Sequence, residues 1–267
     1  MSVKLDFEID SETRIDVSSV LDQTTFTEDD IDVVLVKTNH VLLATDKPSF
    51  ERKLLGRSMI DWVKNALNDS VKLVDDGPTL DVVRPALGKK AITLVAFADT
   101  PLLFYELIVE MLNDVNMAGG AIKNFGGAYM GATEEFKKIS VLPKEVEAHW
   151  KNLEYLRHVT DFVSLTNAEN ELHDRIIYSH MKSGVCFSLP KTILVDATVK
   201  IGKNVTIGPN NVLRGNTKIG DNVVLEANNI VENSVIESNC SIIGCVIKNS
   251  KIDKNSKIKP FSVIENA

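Results

Sequence analysis

The stretch IGKNVTIGPNNVLRGNTKIG, residues 201–220, carries the pattern from which the fold of this chain is predicted. An aliphatic residue recurs at every sixth position, at Val195, Ile201, Ile207, Leu213, Ile219 and Leu225. After a slip near Ile230 the pattern resumes, with two five-residue steps, at Ile236, Ile242, Ile247, Ile252, Ile258 and Ile264. This period is typical of a parallel β-helix, in which each side of a triangular coil points one aliphatic residue inward. An antiparallel sandwich would instead need period-two alternation, which this run lacks.

The stack of coils is expected to assemble with other copies of the chain. A single coil cannot bury its own core, so the hexads predict a stack of roughly four coils. Several valines lie off the six-residue period and are expected to supply apolar contacts on the outer faces: Val212, Val224, Val231 and Val235. A homotrimer along these faces is the expected state.

Composition excludes several classes of function. The chain has 267 residues and a net charge of −7, with no basic stripe that would favour nucleic acid. It contains no apolar run long enough for a membrane span, and its first residues are charged rather than signal-like. Cys240 and Cys245 lie inside the repeat and are expected to be small core or face residues in a reducing compartment. A cytoplasmic location is therefore expected.

Residues 31–112 alternate between strand-like and helix-like segments. The runs 31–36, 40–45 and 91–99 are predicted strands, with 72–74 as a further short strand. Residues 58–67 and 102–112 have helical periodicity, with Ser58 as a possible cap. This alternation predicts a doubly wound α/β domain, in which ligands bind at the carboxyl ends of the strands. Asp99 ends one of those strands.

Further helical segments connect this domain to the repeat. Helices are predicted over 133–139, 144–159 and 167–184, the last one capped by Asn167 and ended by Gly184. The predicted organisation is an α/β domain over 1–160, a helical linker over 161–189 and the β-helix over 190–267.

The end of the last helix and the first hexads resemble a known family. The matching positions include Arg175-Ile176, His180-Met181, Gly184-Val185 and Pro190. With their spacing, residues 159–264 are similar to the bifunctional N-acetylglucosamine-1-phosphate uridylyltransferase/glucosamine-1-phosphate acetyltransferase (GlmU) family. The head is less similar: FADTPLL (97–103) resembles the family's G-D-x-P-L segment and FGGAY (125–129) its N-T-G-I-Y segment.

This resemblance implies a fold, an activity and a set of site residues. The fold is a Rossmann-like nucleotidyltransferase domain followed by a left-handed β-helix. The activity is the joining of UTP and N-acetylglucosamine-1-phosphate to UDP-N-acetylglucosamine and diphosphate, with Mg²⁺ as cofactor. The implied metal ligands are Asp99 and Asp161, and the implied catalytic residues are Asp99 and Lys53. The implied nucleotide-binding residues are Ala44, Thr45, Lys47, Gly77 and Thr79, and Gly127 is the implied sugar-binding residue.

The sequence departs from the family where the chemistry occurs. LLATDKPSFERK (42–53) replaces the family's glycine-rich phosphate loop and contains no glycine. The family's V-N-D-R stretch is Val159 to Phe162 here, so the metal-binding asparagine is a threonine. The last residues, KIKPFSVIENA (257–267), resemble the hexad that precedes the family's acetyl-transfer residues, and no histidine follows His180. Acetyltransferase activity by the family mechanism is therefore not expected.

Three functions remain open at this point. The first is a sugar-1-phosphate nucleotidyltransferase without acetyltransferase activity. The second is a non-catalytic homologue that binds a nucleotide sugar or serves in regulation or assembly, and the third is a hexapeptide acyltransferase. Each site residue also has a structural alternative. Asp99 could cap a helix, Asp161 could mark a helix entry, Lys47 and Lys53 could be solvated, and Gly77 and Thr79 could form a plain turn.

Overall fold

The computed structural model describes residues 25–40, 43, 47–67, 71–147 and 152–267. The chain divides into two units. Of the described residues, the first unit, here called the head, contains 25–52 and 58–168. The second, the β-helix unit, contains 53–57 and 169–267.

The head is built on one mixed five-stranded sheet. Its strands are β1 (Ile31–Lys37), β4 (Val71–Asp75), β5 (Ile92–Phe97), β6 (Lys123–Asn124) and β7 (Ala128–Ala132), in the order β4-β1-β5-β7-β6. Strands β4, β1 and β5 are parallel, and β7 runs antiparallel to both β5 and β6. Every residue of β5 is buried, as the continuous apolar run predicts for a central strand covered on both faces. The α/β fold expected for this part of the chain is confirmed.

Five α-helices accompany the strands in the described residues. They are α1 (Met59–Ala66), α2 (Thr79–Val83), α3 (Tyr105–Met117), α4 (Thr133–Lys138) and α5 (Phe162–Lys182). Ser58 caps α1 as predicted, since its hydroxyl accepts a hydrogen bond from the Asp61 N–H at 3.3 Å. The start of α5 was predicted incorrectly: it begins before Asn167, and the Asp161 carboxylate accepts the Ser164 N–H at 2.8 Å. No described helix is both long and apolar enough to cross a membrane.

Two predicted segments differ from the structure in their described residues. In the predicted strand 40–45, Leu43 lies in a turn and donates its N–H to the His40 carbonyl. In the predicted helix 144–159, Val146 forms a β-bridge with Asn124, and only Leu153–Leu156 form a short 3₁₀ helix. Residues 148–151 lie outside the described part of the chain. Tertiary contacts override the helical pattern here, because the Glu147 N–H bonds to the Asn124 carbonyl at 3.0 Å.

A short hairpin at residues 53–58 belongs mostly to the β-helix unit. Strands β2 (Lys53–Leu54) and β3 (Arg57–Ser58) flank a turn in which Leu55 and Gly56 have φ angles of 48° and 84°. The Leu55 carbonyl accepts the Ala197 N–H at 2.9 Å. A Cβ on Gly56 would lie 2.9 Å from the Asp196 side chain, so this close approach requires glycine.

The hexapeptide repeat forms the predicted left-handed parallel β-helix, with three parallel sheets. The first sheet contains β8 (Cys186–Phe187), β11 (Thr206–Ile207), β14 (Val224–Leu225), β17 (Ser241–Ile242) and β20 (Lys257–Ile258). The second contains β9 (Leu194–Val195), β12 (Val212–Arg214), β15 (Ile230–Glu232), β18 (Val246–Lys248) and β21 (Val263–Glu265). The third contains β10 (Lys200–Ile201), β13 (Lys218–Ile219), β16 (Val235–Ile236) and β19 (Lys251–Ile252). Cys240 and Cys245 are buried between the sheets, as expected, and Cys186 is exposed.

The register places the slip predicted near Ile230 at the step from Val231 to Ile236. Val231 pairs with Leu213 and Ile247 and is 0% exposed, whereas Ile230 is 40% exposed. The six-residue period therefore continues from residue 225 to 231, and the first five-residue step leads from Val231 to Ile236. For the same reason Val231 was wrongly expected on an outer face. Two adjacent aliphatic residues give the sequence no means of choosing which one points inward.

Candidate functional site

The head brings two chain segments together at the carboxyl ends of β1 and β5. These strands are parallel neighbours, so their carboxyl ends lie at one edge of the sheet. The Ala98 N–H extends the pairing by bonding to the Val36 carbonyl at 2.9 Å. Asp99 follows directly and is 0% exposed, while residues 38–40 follow β1. In open α/β sheets this edge is where ligands bind.

The Asp99 carboxylate is held by two histidines. His40 Nε2 lies 2.6 Å from Asp99 Oδ2. His158 Nδ1 lies 2.9 Å from Oδ1 and 3.0 Å from Oδ2. Because an ionised carboxylate can only accept hydrogen bonds, both ring nitrogens act as donors. The imidazole side chains remain 30% and 35% exposed, so each ring also reaches the surface. These three residues are called the Asp99 cluster below.

Electrostatics favours the ionised forms in this cluster. Burial alone raises the pKa of Asp99, but hydrogen bonds from His158, the charge on His158 and the His40 hydrogen bond outweigh it, so the pKa lies below its ordinary value. Burial lowers the pKa of His158, but the hydrogen bond and charge of Asp99 and a hydrogen bond to the Gly126 backbone raise it overall. These shifts favour an ionised Asp99 paired with a protonated His158.

Neighbouring groups fix the orientation of the cluster. The Asp99 carbonyl accepts the Val159 N–H at 2.8 Å, which holds the segment carrying His158 against the end of β5. The Phe97 ring packs edge-on against the His158 imidazole with centroids 5.2 Å apart. A Cβ on Gly127 would lie 1.7 Å from the Leu156 carbonyl oxygen, so glycine is required for the close packing of this segment.

The loop after β1 uses its backbone donors internally. The Asn39 N–H bonds to the Asp76 carboxylate at 3.1 Å, and the His40 N–H bonds to the Ser49 hydroxyl at 2.8 Å. The Ser49 N–H bonds to the Asn39 side-chain oxygen at 2.8 Å. A phosphate-binding loop needs such N–H groups to be free and to converge on the ligand. In its described part, this loop directs them at the side chains of its own Asn39 and Ser49 and of Asp76, which follows β4.

The predicted site residues lie on several elements of the chain, and of these Gly127 packs against Thr100, the residue that follows Asp99. Lys53 is exposed on β2, in the β-helix unit rather than the head. Lys47 is exposed, and Ala44 and Thr45 lie outside the described residues. Gly77 directly follows Asp76 in the connection between β4 and α2, and Thr79 is the first residue of α2.

Asp161 has a local structural role at the start of α5. Its carboxylate accepts the Ser164 N–H and hydroxyl, each at 2.8 Å. Hydrogen bonds from the Ser164 backbone and side chain lower its pKa. These contacts make Asp161 the N-cap of α5.

His40 and His158 were missed at the sequence level. His40 carries a weak signal, because it follows the carboxyl end of a strand that neighbours the Asp99 strand. His158 carries none: it lies 59 residues from Asp99, in a segment predicted as helix.

The residues present do not fit the Mg²⁺ that the family resemblance implies. Mg²⁺ requires oxygen ligands in octahedral geometry at about 2.1 Å. Both oxygens of Asp99 instead accept imidazole N–H groups, and Asp161 caps α5. Within the described ranges there is no group of three or more His, Cys, Asp or Glu side chains that could hold a metal ion.

Comparisons with known proteins agree with the architecture. A family model described as the GMPPB C-terminal domain matches residues 189–267. The chain is 34% identical over 159 residues to the Bifunctional protein GlmU of Clostridium beijerinckii, which covers 60% of this chain and 34% of that protein. It is 40% identical over 99 residues to the Bifunctional protein GlmU of Thermodesulfovibrio yellowstonii, covering 37% of this chain and 22% of that protein. The chain thus spans about a third or less of the length of these relatives, and the predicted GlmU-like resemblance is confirmed.

Proposed function

Since the chain is GlmU-like, we propose that its head binds a sugar nucleotide of the UDP-N-acetylglucosamine class at the Asp99 cluster. The observation that carries this proposal is the position of two partly exposed imidazoles at the carboxyl edge of the parallel strands. Their outer edges offer polar groups to a phosphate, and Asp99 holds both rings in place. The β-helix serves as the assembly stem.

Binding without turnover accounts best for the surroundings of the cluster. Nucleotidyl transfer depends on preorganised donors and a metal ion that stabilise charge on the phosphates. Here the N–H groups of Asn39, His40 and Ser49 are already bonded within the head. Both oxygens of Asp99 already accept imidazole N–H groups. A sugar nucleotide needs only to be held, which the imidazoles can do.

Isothermal titration calorimetry with UDP-N-acetylglucosamine tests this function. Wild-type protein is expected to bind saturably, and His158→Gln is expected to weaken binding by about tenfold or more, equivalent to about 1.4 kcal/mol. His180→Gln is the matched control, because His180 lies in the β-helix unit. The absence of binding at millimolar nucleotide, or an equal loss in the control, would overturn the proposal.

Nucleotidyl transfer is the second candidate function. It is favoured by the position of Asp99 in Asp-Thr-Pro-Leu at a strand end, where the family resemblance expects a catalytic aspartate. Diphosphate release from UTP and N-acetylglucosamine-1-phosphate distinguishes the two candidates. Turnover by the wild type that is abolished in Asp99→Asn would establish the second candidate. No turnover, with nucleotide-sugar binding retained, supports the first.

The second sheet of the β-helix supplies the face for assembly, which we take to be a homotrimer. One outward-facing residue of each strand is aliphatic, and parallel pairing aligns them into one column: Leu194, Val212, Ile230, Val246 and Val263. The next outward-facing residues alternate in charge along the stack: Arg214, Glu232, Lys248 and Glu265. An apolar column beside alternating charges favours a second copy of the chain as the occupant, because each copy can offer the complementary charges. The outward-facing residues of the third sheet are mostly lysine, which is unsuited to this contact.

A further inference from the structure

We propose that His40 recognises a hydroxyl group of the bound sugar nucleotide by accepting a hydrogen bond at its Nδ1 atom, whereas His158 presents positive charge to the neighbouring phosphate. This inference rests on the proposed function, because it assigns a separate role to each imidazole at the same edge of the sheet. It makes His40 the residue that distinguishes a sugar nucleotide from a simple phosphate.

The two rings spread apart from a shared oxygen. His40 Nε2 lies 2.6 Å from Asp99 Oδ2, and His158 Nδ1 lies 3.0 Å from the same atom. Each N–H points along its bond to that oxygen, so the opposite edges of the two rings point away from it in different directions. The outward nitrogens are therefore directed at two different groups of a ligand rather than at one cation.

His158 is the charged ring of the cluster. Burial lowers its pKa, but the hydrogen bond and charge of Asp99 and a hydrogen bond to the Gly126 backbone raise it overall. An imidazolium has two N–H donors, and the Asp99 carboxylate and the Gly126 backbone both accept from this ring. The positive end of the ion pair thus lies at His158, whose side chain is 35% exposed.

His40 is the ring that has a lone pair to offer. An ionised carboxylate can only accept, so Asp99 fixes the proton of a neutral His40 ring on Nε2 and leaves Nδ1 unprotonated. A proton on Nδ1 as well would place a second positive charge at a carboxylate that His158 already balances. The His40 side chain is 30% exposed while its Nε2 edge lies against a fully buried carboxylate, so the exposed edge is the one that carries Nδ1.

The lone pair of His40 can pair only with a donor group. The diphosphate of a sugar nucleotide offers acceptor oxygens, whereas its sugar rings carry hydroxyl groups that donate. The His40 N–H also bonds to the Ser49 hydroxyl at 2.8 Å, so the backbone and the ring are both anchored before a ligand binds. A site that bonds to a hydroxyl discriminates against a ligand that lacks it, because its own polar group is then left unpaired.

Nitrogen-15 NMR of histidine-labelled protein without nucleotide provides the first test, since protonated and unprotonated ring nitrogens have well separated resonances. At neutral pH, His40 is expected to carry its one ring proton on Nε2. A second proton on this ring, or a single proton on Nδ1, would overturn the inference. This readout does not depend on the proposed function.

The same spectra at saturating UDP-N-acetylglucosamine provide the second test. The His40 Nδ1 resonance is expected to move toward that of a hydrogen-bonded nitrogen, to the same extent in EDTA and in millimolar Mg²⁺. If this resonance stays in place while that of His158 moves, or moves only with metal, the inference is wrong and the proposed function stands. Absence of saturable binding by calorimetry would overturn the proposed function and the inference with it.

Two substitutions of His40 provide the third test. His40→Gln keeps an amide N–H for Asp99 and an amide oxygen as acceptor, whereas His40→Leu keeps neither. The leucine variant is expected to bind UDP-N-acetylglucosamine at least about tenfold more weakly than the glutamine variant, while inorganic diphosphate binds to both alike. With folding of both verified by circular dichroism, an equal Kd for the nucleotide, or an equal loss of diphosphate binding in the leucine variant, would overturn the inference.

Discussion

At the scale of single residues, Asp99 is a buried carboxylate whose two oxygens both accept hydrogen bonds from histidine. A buried carboxylate is costly unless it is paired and hydrogen-bonded. His40 and His158 meet both conditions, with ring nitrogens 2.6 and 2.9 Å from its oxygens. The same contacts that make burial tolerable also occupy the atoms that a metal would use. Stability and ligand chemistry at this position thus depend on the same hydrogen bonds.

The ion pair predicts a pH-dependent contribution to the free energy of unfolding. The pKa of His158 is raised above 6.5, so its contribution is complete below that value and is lost as the pH rises through the folded-state pKa. The pKa of Asp99 is lowered below 3.8, so its contribution is lost only as the pH falls through the lower folded-state pKa. Urea unfolding should show His158→Gln destabilised by about 1–3 kcal/mol near pH 5 and by less near pH 9.

His180→Gln provides a control for the direction in which the stability difference changes with pH. Burial lowers the pKa of His180, so its contribution to stability is present above pH 6.5 and is lost as the pH falls. The stability differences of the two variants from wild type should therefore change with pH in opposite directions. A difference for His158→Gln that stays constant or grows toward pH 9 would contradict the ion pair.

Asp99 could be predicted as a site residue from the sequence, and its partners could not. A continuous apolar run ending in aspartate locates both the strand and its carboxyl end from local information. His158 reaches Asp99 through a segment whose helical pattern is overridden by the Asn124–Glu147 and Asp99–Val159 backbone contacts. Such long-range pairings cannot be predicted from the hydrophobic periodicity of the sequence. The contact between Asp161 and Ser164 is local, and the structure shows the helix entry that the sequence offered as the structural alternative for Asp161.

At the scale of elements, the corners of the β-helix are determined by asparagine. The residues with positive φ in the repeat are mostly Asn, among them Asn204, Asn222 and Asn239, at 55–64°. Their side chains also bond from coil to coil: Asn204 donates to Asn222 at 3.4 Å, and Asn222 donates to Asn239 at 3.2 Å. Asparagine tolerates the left-handed region and supplies the amide for this ladder.

Substitution of Asn222 separates the two contributions of asparagine. Asn222→Gly keeps a residue that tolerates positive φ and loses the ladder bonds, so it should cost about 1 kcal/mol. Asn222→Ala also adds the strain of a left-handed Cβ residue, for a total of about 2–3 kcal/mol. Chemical denaturation monitored by circular dichroism measures both. If the alanine variant were as stable as the glycine variant, the positive φ angle at residue 222 would not contribute the strain predicted here.

Phe261 is expected to destabilise the corner of the β-helix at which it lies. It has φ of 67° and is 95% exposed, at the corner that Asn210, Asn228 and Gly244 occupy in earlier coils. Phe261→Asn should raise the free energy of unfolding by about 1 kcal/mol, because it relieves left-handed strain without removing a buried contact. Thermal unfolding of the two proteins measures this. A lower Tm for the variant would show that the Phe261 ring has a contact that its exposure does not reveal.

The elements also show where a period in the sequence is sufficient and where it is not. The hexads predicted the coils and the buried aliphatic positions on both sides of residue 230. Val231 was wrongly predicted to lie on an outer face, because from the sequence either Ile230 or Val231 could point inward. Pairing with Leu213 and Ile247 fixes the register. That one position also decides which residues form the outer aliphatic column.

At the scale of the whole molecule, the aliphatic column predicts the oligomeric state. Ile230→Glu places a charge in the middle of this column and should convert the trimer to monomer at micromolar concentration, as measured by light scattering after gel filtration. Lys218→Glu on the third sheet is the matched control, since it changes charge outside the column, and should leave the trimer intact. A wild-type monomer, or dissociation by the control alone, would contradict the assembly proposed here.

The measurement that tests the central claim most directly is histidine NMR during titration with UDP-N-acetylglucosamine. Labelled histidine resonances, assigned with His40→Gln and His158→Gln, report on both rings of the Asp99 cluster at once. The account predicts that saturating nucleotide shifts the His40 and His158 resonances and leaves those of His173 and His180, in the β-helix unit, unchanged. Resonances of His40 and His158 that stay in place at millimolar nucleotide would contradict a sugar-nucleotide site at this cluster.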